Sequence, residues 1–372
     1  MVVIAAGTAV LDGTVSGPGW LETDGGRIRA CAAGAPPRPP DADFPDGIVV
    51  PGFVDMHVHG GGGSSYTDGG ARAAADFHAR HGTTTTLASL VTASPEELLT
   101  GVRALAEATR DGVVAGIHLE GPWLSRARCG AHDPARMRDP DPAEIDALLG
   151  AGGGAIRMVT LAPELPGADD AIRRFLDAGV VVALGHTNCT YEQAERAIGL
   201  GATVGTHLFN AMPPLHHREP GPALALLRHP AVTVELIADG VHVHPAVVRA
   251  VVEDAGPDRV AAVTDAISAA GRGDGAFRLG AVDVDVASGV ARVRGTPTIA
   301  GSTATMDQLF RNVHAGAGLA AAAQTTSATP ARALGLRGVG SLRAGYAANL
   351  VVLDRDLRVA AVMVAGRWRV GG

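Results

Sequence analysis

The segment that decides the fold is Pro51-Gly52-Phe53-Val54-Asp55-Met56-His57-Val58-His59, a short apolar run that ends in an acid and two histidines. On an extended backbone, residues two apart point to the same face, so His57 and His59 direct two imidazoles at one place. Imidazole is a good ligand for zinc, iron and similar ions. An isolated His-x-His pair is often no more than two solvent-facing histidines in a glycine-rich loop. The preceding strand and its terminal acid favour a metal site here.

Downstream of this segment, short apolar and β-branched runs alternate with amphipathic stretches, which is the pattern of repeated βα units. Ser94 and Pro95, followed by two acids, form a typical helix start. Helices are predicted over residues 71–80, 95–108, 191–200 and 245–254, among others. Eight strands are predicted, over residues 49–54, 83–88, 113–119, 155–161, 180–184, 202–206, 232–237 and 259–263. Eight such units predict an α/β protein built on a (β/α)8 TIM-type barrel.

The two ends of the chain do not follow this rhythm. Residues 1–48 and 342–372 carry short strand-like runs, and turn signals such as Asp24-Gly25-Gly26 separate some of them. They predict one small β-sandwich domain, formed by both termini, beside a catalytic barrel domain over 49–341. A stretch rich in glycine and valine at 277–293 predicts a hairpin after the eighth strand.

Composition excludes several classes of protein. The chain has 372 residues, 47% of them apolar, and a formal net charge of −7. This charge argues against a surface for nucleic acid or anionic membranes. The first residues lack the pattern of a secretory signal, no apolar stretch reaches spanning length, and the three cysteines do not form a disulfide framework. We therefore expect a cytoplasmic protein with no nucleic-acid and no membrane partner.

Further candidate ligands stand at the carboxyl ends of the predicted strands, where such barrels collect their catalytic groups. The third strand leads to Glu120, the fifth to His186, the sixth to His207 and the eighth to Asp265. Together with the histidine pair they make four imidazoles and two carboxylates, the ligand set of a site for one or two metal ions.

Taken singly, each of these residues has another interpretation. An unpaired carboxylate at the end of an apolar strand is costly, so Glu120 needs a cation, and an arginine would serve as well as a metal. His186 or His207 alone fits a polar residue at a barrel rim. Asp265 fits a helix cap, yet it is equally suited to carry a proton from water to a leaving amine. The shared register favours the metal site, and His118 is assigned to packing or to support of the ligands.

These residues lie in segments that resemble one family. Residues 51–60, 118–122, 185–187, 206–213, 239–243, 264–266 and 299–306 are similar to the N-acetylglucosamine-6-phosphate deacetylases of the amidohydrolase superfamily. The resemblance covers essentially the whole chain, and its most specific parts are 206–213 and Arg218-Glu219-Pro220-Gly221. It implies a barrel with a β-sandwich built from both termini, and a homodimer.

The resemblance also implies a role for each matching residue. Glu120, His186 and His207 match the ligands of the metal held throughout the family, and His57 and His59 match a pair that adds a second metal in some members. Asp265 matches the general acid and base beside the metal. The implied substrate contacts are His132, Asn210, Ala211, Arg218, His242, Ile299, Ala300 and Gly301, with His242 suited to polarise the amide carbonyl. The implied cofactor is one or two divalent ions, Zn2+ first, with Fe2+ or another ion as alternatives.

The chain contains no lysine. Many members of the superfamily bridge two metals with a carbamylated lysine, which this chain cannot do. A bridge must therefore come from a carboxylate, and Glu120 is the natural candidate.

The resemblance implies that Arg218 contacts the phosphate, and this role agrees with its chemistry, because a planar guanidinium engages phosphate oxygens in bidentate fashion. The alternative is a surface arginine paired with Glu219. Since the net charge is −7, long-range attraction cannot recruit an anionic sugar, and a local pocket must do so. Whether the arginine acts in its own subunit or across a dimer stays open.

The reaction that the resemblance implies is metal-dependent hydrolysis of the acetamide of N-acetyl-D-glucosamine 6-phosphate, which gives D-glucosamine 6-phosphate and acetate. One alternative is the same chemistry on N-acetylgalactosamine 6-phosphate or another amide. A second is a non-catalytic barrel kept as an assembly module. Such a module would have lost one or more ligands, and this sequence has lost none.

Overall fold

Eight parallel strands form the centre of the computed structural model, which describes residues 1–371. Each strand pairs with the next, and the backbone N–H of Asp265 donates to the carbonyl of His57 at 2.8 Å, which brings the eighth strand to the first. The predicted (β/α)8 barrel is confirmed. The strands, named first to eighth in chain order, are Phe53–Asp55, Thr83–Leu90, Gly116–Glu120, Ile156–Leu161, Val181–Leu184, Val204–Gly205, Thr233–Leu236 and Val260–Ala262.

Helices follow the barrel strands and cover them. The predicted start at Ser94 is confirmed, because its hydroxyl accepts from the Glu97 N–H at 3.3 Å and its own N–H donates to the Glu97 carboxylate at 2.9 Å. This reciprocal pair satisfies N–H groups that a helix end leaves free. The α-helices are Ala71–Arg80, Pro95–Arg110, Pro142–Gly152, Ala168–Asp177, Tyr191–Leu200, Gly221–Arg228, Pro245–Ala255, Met306–Ala323 and Thr329–Ala333. Short 3-10 turns at Arg126–Arg128 and Pro134–Arg136 and a π-helical turn at Gln324–Ala328 complete the set.

The barrel interior is a packed core. Met56, Leu87, Met158 and Ile237 are fully buried there in one apolar cluster. Outside the strands, the helices bury their apolar faces in a second and larger cluster, to which Leu105 and Phe175 belong. Because the interior is filled, a ligand can enter only at a rim of the barrel.

Both ends of the chain pair in one eight-stranded sheet, so the predicted small β-domain is confirmed. The sheet folds over its own apolar core, and the Ile28 N–H donates to the Tyr346 carbonyl at 2.8 Å across that fold. The limits 1–48 and 342–372 stay a prediction. The strands of this terminal sheet are Val2–Leu11, Thr14–Ser16, Gly19–Asp24, Arg27–Ala33, Ala42–Pro51, Leu350–Leu353, Val359–Val364 and Arg367–Val370.

The predicted strand over residues 49–54 is wrong in one respect, since the structure divides it between the two sheets. Val49, Val50 and Pro51 pair with residues 350–352 of the terminal sheet, and the barrel strand begins at Phe53. Gly52 lies at the change, and a Cβ there would come within 2.3 Å of the Thr84 hydroxyl. Because both strands are buried at this point, the apolar run continues from one to the other. The sequence therefore does not indicate where the chain leaves the terminal sheet and enters the barrel.

After the eighth strand, the insert predicted as a hairpin forms a three-stranded antiparallel sheet of Gly275–Leu279, Val282–Ala287 and Val290–Val293. A shorter pair, Gly60–Gly61 and Ser64–Ser65, follows the first barrel strand. Within residues 1–371, no helix has both the length and the apolar character that crossing a membrane requires.

Candidate functional site

A cavity of about 320 Å³ opens at the carboxyl ends of the barrel strands. His57 lies beneath its floor and is fully buried. Five other predicted ligands line the cavity, namely His59, Glu120, His186, His207 and Asp265. So do six predicted substrate contacts, namely His132, Asn210, Ala211, His242, Ile299 and Gly301.

Three of the candidate ligands have an unusual backbone conformation. The φ angles of His186, His207 and Asp265 are 46°, 26° and 47°. A left-handed conformation is costly for a residue with a Cβ, and it persists where the surrounding structure enforces it, commonly at functional sites. Each of the three follows the end of a barrel strand, where the turn of the backbone allows the side chain to reach the cavity.

One group of donor atoms, the first half-site, consists of His57, His59, Asp265 and one oxygen of Glu120. The two Nε2 atoms of the histidines are 3.2 Å apart. Asp265 Oδ1 lies 3.5 Å from His57 Nε2 and 3.2 Å from His59 Nε2. Glu120 Oε2 lies 3.5 and 3.1 Å from the same two atoms.

The second half-site consists of Glu120, His186 and His207. Glu120 Oε1 lies 3.1 Å from the Nε2 atom of each histidine, and these two nitrogens are 3.1 Å apart. Glu120 therefore turns one carboxylate oxygen to each half-site, which is the arrangement of a bridging ligand.

The donor set fits a divalent metal ion. Bonds of about 2.0–2.2 Å to nitrogen and oxygen place neighbouring ligands of a tetrahedral zinc ion about 3.3–3.6 Å apart. The donor separations of 3.1–3.5 Å agree with that geometry. A mixed set of imidazole and carboxylate also suits iron and other transition metals. The residues therefore indicate a divalent ion but do not determine which one.

Hydrogen bonds outside the donor set hold the imidazoles in place. His59 Nδ1 lies 3.2 Å from the Ser89 carbonyl, and His186 Nδ1 lies 2.9 Å from the Arg128 carbonyl. Because a carbonyl only accepts, each bond places a hydrogen on Nδ1 and leaves the Nε2 lone pair free for an ion. His118 instead bonds Ser89 and Thr160 through its two nitrogens, at 2.9 and 2.8 Å.

The buried carboxylates create a strongly negative site. Burial alone would lower the pKa of His59, but its bonds to Asp265 and Glu120 raise the pKa to about 9. Burial would likewise raise the pKa of Asp265, yet the neighbouring charges of His57 and His59 lower it. The carboxylates Glu120 and Asp265 therefore favour positive charge beside His59, and a divalent cation requires the same electrostatic environment.

His132 and His242 complete the polar wall. His132 Nε2 lies 3.3 Å from Glu120 Oε2, its Nδ1 lies 2.9 Å from the Thr92 hydroxyl, and burial lowers its pKa to about 4. His242 Nδ1 lies 2.8 Å from Asp239 Oδ2, while Asp239 Oδ1 accepts from the His242 N–H at 2.8 Å. Asp239 thus orients both the ring and the backbone of His242.

Two predicted substrate contacts lie elsewhere. Ala300 is fully buried in an apolar cluster and does not line the cavity. Arg218 is exposed, does not line the cavity of its own subunit, and has its Nη1 2.8 Å from His217 Nε2.

Sequence reasoning missed several residues that the structure brings to the site. Leu279, Pro297 and Thr298 line the cavity, and they come from the insert after the eighth strand and its exit. Asp239 and Glu235 support histidines from behind. Glu235 could have been found from the sequence, because it is a carboxylate inside the apolar seventh strand. Such a carboxylate needs a compensating partner, as was argued for Glu120.

Comparison with known proteins gives a consistent result. The model of the amidohydrolase family matches residues 48–369. N-acetylglucosamine-6-phosphate deacetylase from Danio rerio is 37% identical over 349 residues, which cover 88% of this chain and 86% of that protein. N-acetylgalactosamine-6-phosphate deacetylase from Escherichia coli is 36% identical over 361 residues, which cover 94% and 95%.

A solved structure resembles the chain more closely. It is a mutant of N-acetyl-D-glucosamine-6-phosphate deacetylase from Mycobacterium smegmatis in complex with N-acetyl-D-glucosamine-6-phosphate. It is 53% identical, with a TM-score of 0.98 and 99% of each chain covered.

Proposed function

The chain belongs to the amidohydrolase family, and from that premise we propose that it hydrolyses the acetamide of N-acetyl-D-glucosamine 6-phosphate. Water adds to the carbonyl carbon, the C–N bond breaks, and acetate and D-glucosamine 6-phosphate leave. The observation that carries the proposal is that five candidate ligands, the acid Asp265 among them, line one cavity together with His242, whose ring is hydrogen-bonded to Asp239. The likeness to a deacetylase solved with this sugar phosphate supports the choice of substrate.

We propose Zn2+ as the ion, with Glu120, His186 and His207 holding one ion and His57, His59 and Asp265 holding a second beside the Glu120 bridge. A bound ion supplies a Lewis acid for the carbonyl and lowers the pKa of water toward neutrality. Because the chain has no lysine, carboxylates alone provide the negative charge of the site.

Asp265 is the proposed acid and base. Its carboxylate accepts a proton from the attacking water and delivers a proton to the nitrogen of the departing amine. In the metal-free site the neighbouring charges of His57 and His59 lower its pKa, and a bound cation would likewise favour the ionised carboxylate, which can accept a proton.

His242 is proposed to donate a hydrogen bond from Nε2 to the acetamide oxygen, where negative charge develops. Its Nδ1 faces Asp239 at 2.8 Å, so the carboxylate stabilises the doubly protonated ring that such a donor requires.

Phosphate recognition is assigned to Arg218. In the proposed homodimer, the Arg218 of one subunit reaches into the cavity of the other. In support, Arg218 is exposed and does not line the cavity of its own subunit. Asn210, Ala211, Ile299 and Gly301 are proposed to contact the sugar. A cytoplasmic location also belongs to this proposal.

The second candidate substrate is N-acetyl-D-galactosamine 6-phosphate. The relative from Escherichia coli that carries this name covers 94% of the chain at 36% identity, close to the value for the glucosamine enzymes. Both substrates share the acetamide and the phosphate and differ at one sugar hydroxyl.

Acetate release from a panel of N-acetylated sugars tests the proposal. We expect the highest kcat/KM for N-acetyl-D-glucosamine 6-phosphate, a loss of at least about tenfold without the phosphate, and loss of activity after chelation that Zn2+ restores. Preference for the galactosamine epimer would select the second candidate. No acetate from any of these sugars by the metal-loaded protein would contradict both.

A further inference from the structure

Glu235 lies in the seventh barrel strand, where it is fully buried and does not line the cavity. Its carboxylate contacts no substrate and has no assigned role in the proposed reaction. Among residues 1–371, no arginine lies within ion-pair distance of it, and its ion-pair contact is His57. A buried carboxylate without a compensating charge is costly, so the position requires an explanation.

One oxygen of Glu235 serves both halves of the site. Oε2 lies 3.0 Å from His57 Nδ1 and accepts from the backbone N–H of His207 at 3.1 Å. His57 belongs to the first half-site and His207 to the second. The other oxygen, Oε1, is buried and has no hydrogen-bond partner.

The contact between Glu235 and His57 determines which ring nitrogen of His57 can bind an ion. Because the carboxylate accepts from Nδ1–H, the Nε2 lone pair is left free, and Nε2 is the atom that lies 3.2 Å from His59 Nε2. A carboxylate behind a liganding imidazole also makes the imidazole a stronger donor to the ion.

The contact with His207 acts on the backbone. His207 has a φ of 26°, a conformation that its surroundings must hold in place. Glu235 does so from two atoms, since its side chain accepts from the His207 N–H and its carbonyl accepts from the Leu208 N–H at 2.8 Å.

We propose that Glu235 is a positioning residue that couples the two half-sites, through the ring of His57 on one side and the backbone of His207 on the other. Its charge increases the affinity of the first half-site, and its hydrogen bond fixes the geometry of the second. This inference rests on the metal site of the proposed function.

Glu235→Gln separates the two effects. The amide oxygen retains both hydrogen bonds while the charge is lost, and the amide nitrogen takes the position of Oε1, where no hydrogen-bond partner lies. We expect the zinc-binding step of the first half-site to weaken about 10–100-fold, and that of the second to stay within about twofold. Glu235→Leu removes both hydrogen bonds as well as the charge, and we expect the zinc-binding steps of both half-sites to weaken.

The measurement is a titration of chelator-stripped protein with Zn2+ in competition with a chromophoric chelator, with bound zinc counted by mass spectrometry. Asp307→Asn is the matched control, since it likewise replaces a buried carboxylate by its amide, but at a residue that bonds His81 and Arg311 and does not line the cavity. We expect it to bind zinc as the wild type does. Melting curves of the metal-free proteins identify a variant that fails to fold. If Glu235→Leu fails, the test of the inference rests on Glu235→Gln alone.

A Glu235→Gln variant that binds zinc with wild-type affinity at every step would overturn the inference. A wild-type chain that takes up no Zn2+ overturns the metal site and the inference together. Acetate release by the wild type is measured separately. An inert but zinc-binding wild type contradicts the proposed substrate, and the titration still decides the role of Glu235.

Discussion

The carboxylate of Asp265 has two proposed roles, since it is a ligand of the first half-site and also transfers protons in the reaction. Its Oδ1 lies 3.2 Å from His59 Nε2, within the first half-site, and the residue also lines the cavity where the amide would lie. Asn in its place keeps the size and one oxygen of the side chain but cannot accept and return a proton. We expect Asp265→Asn to lower kcat by about 10²–10⁴-fold, with a smaller change in substrate affinity, as measured by acetate release and by calorimetry.

The control is Asp307→Asn, which removes a buried carboxylate that binds His81 and Arg311 outside the cavity. Its kcat should equal that of the wild type. An Asp265→Asn enzyme with near-normal turnover would show that another group carries the proton.

Asp239 is expected to act through His242. Asp239→Asn removes the charge that faces Nδ1 at 2.8 Å, so a doubly protonated His242 ring loses its stabilisation. We expect kcat to fall at least about tenfold while KM changes little, because the lost interaction forms mainly in the transition state. Steady-state kinetics on N-acetyl-D-glucosamine 6-phosphate measures this split. A rise in KM with unchanged kcat would instead assign the pair to ground-state binding.

At the scale of elements, the alternation of strands and helices predicted the barrel, because strands buried on both faces form recognisable apolar runs. The strand ends then identified Glu120, His186, His207 and Asp265 as neighbours, since parallel strands end at one rim. The structure brings these residues within hydrogen-bonding distance of one another or of the histidine pair.

Other features have no local signature. The division of residues 49–54 depends on a partner strand about 300 residues later, at Leu350–Leu353. The contacts of Asp239 and Glu235 with histidines depend on loop geometry and on the placement of distant strands. Ala300 matched a lining loop in the sequence, but it is fully buried and does not line the cavity.

The helix Ala71–Arg80 carries a buried histidine that should make stability depend on pH. His78 is fully buried, and its Nε2 donates to the Gly60 carbonyl at 2.9 Å. Burial is the main cause that lowers its pKa to about 4; the hydrogen bond to Gly60 opposes it, His81 adds to it, and Asp307 opposes it. In the unfolded chain the ring binds a proton below its ordinary pKa of about 6.5. The stability due to neutral His78 is therefore complete above that pH and is lost as the pH falls toward 4.

We expect His78→Gln, which retains a donor for Gly60 but does not titrate, to flatten this dependence. Between about pH 7.5 and 5.5, the wild type should lose about 1.4 kcal/mol more unfolding free energy than the variant. Urea denaturation of the metal-free proteins measures the difference. His314→Gln, a change at a half-buried histidine of another helix, is the control. Parallel curves for wild type and His78→Gln would contradict the assignment.

At the scale of the whole molecule, the exposed position of Arg218 leads to a test by subunit mixing. A composite site would take Asp265 from one protomer and Arg218 from its partner. Arg218→Ala and Asp265→Asn homodimers should each be weakly active on the phosphorylated sugar. Their mixed dimers would contain one intact site, so refolding equal amounts together should restore up to about one quarter of wild-type activity.

The rate of acetate release before and after mixing gives the answer, and an Arg218→Ala, Asp265→Asn double variant mixed with either single variant is the control. No recovery would place Arg218 in the cavity of its own subunit, or outside the substrate site altogether.

The strand Ala42–Pro51 joins the terminal sheet to the barrel through Gly52, five residues before His57. Its neighbour on one side is Val2–Leu11, which is synthesised before it. Its neighbour on the other side is Leu350–Leu353, which is synthesised about 300 residues after it. During translation, the strand that leads to the histidine pair therefore cannot gain its full set of backbone partners until the chain has emerged past Leu353.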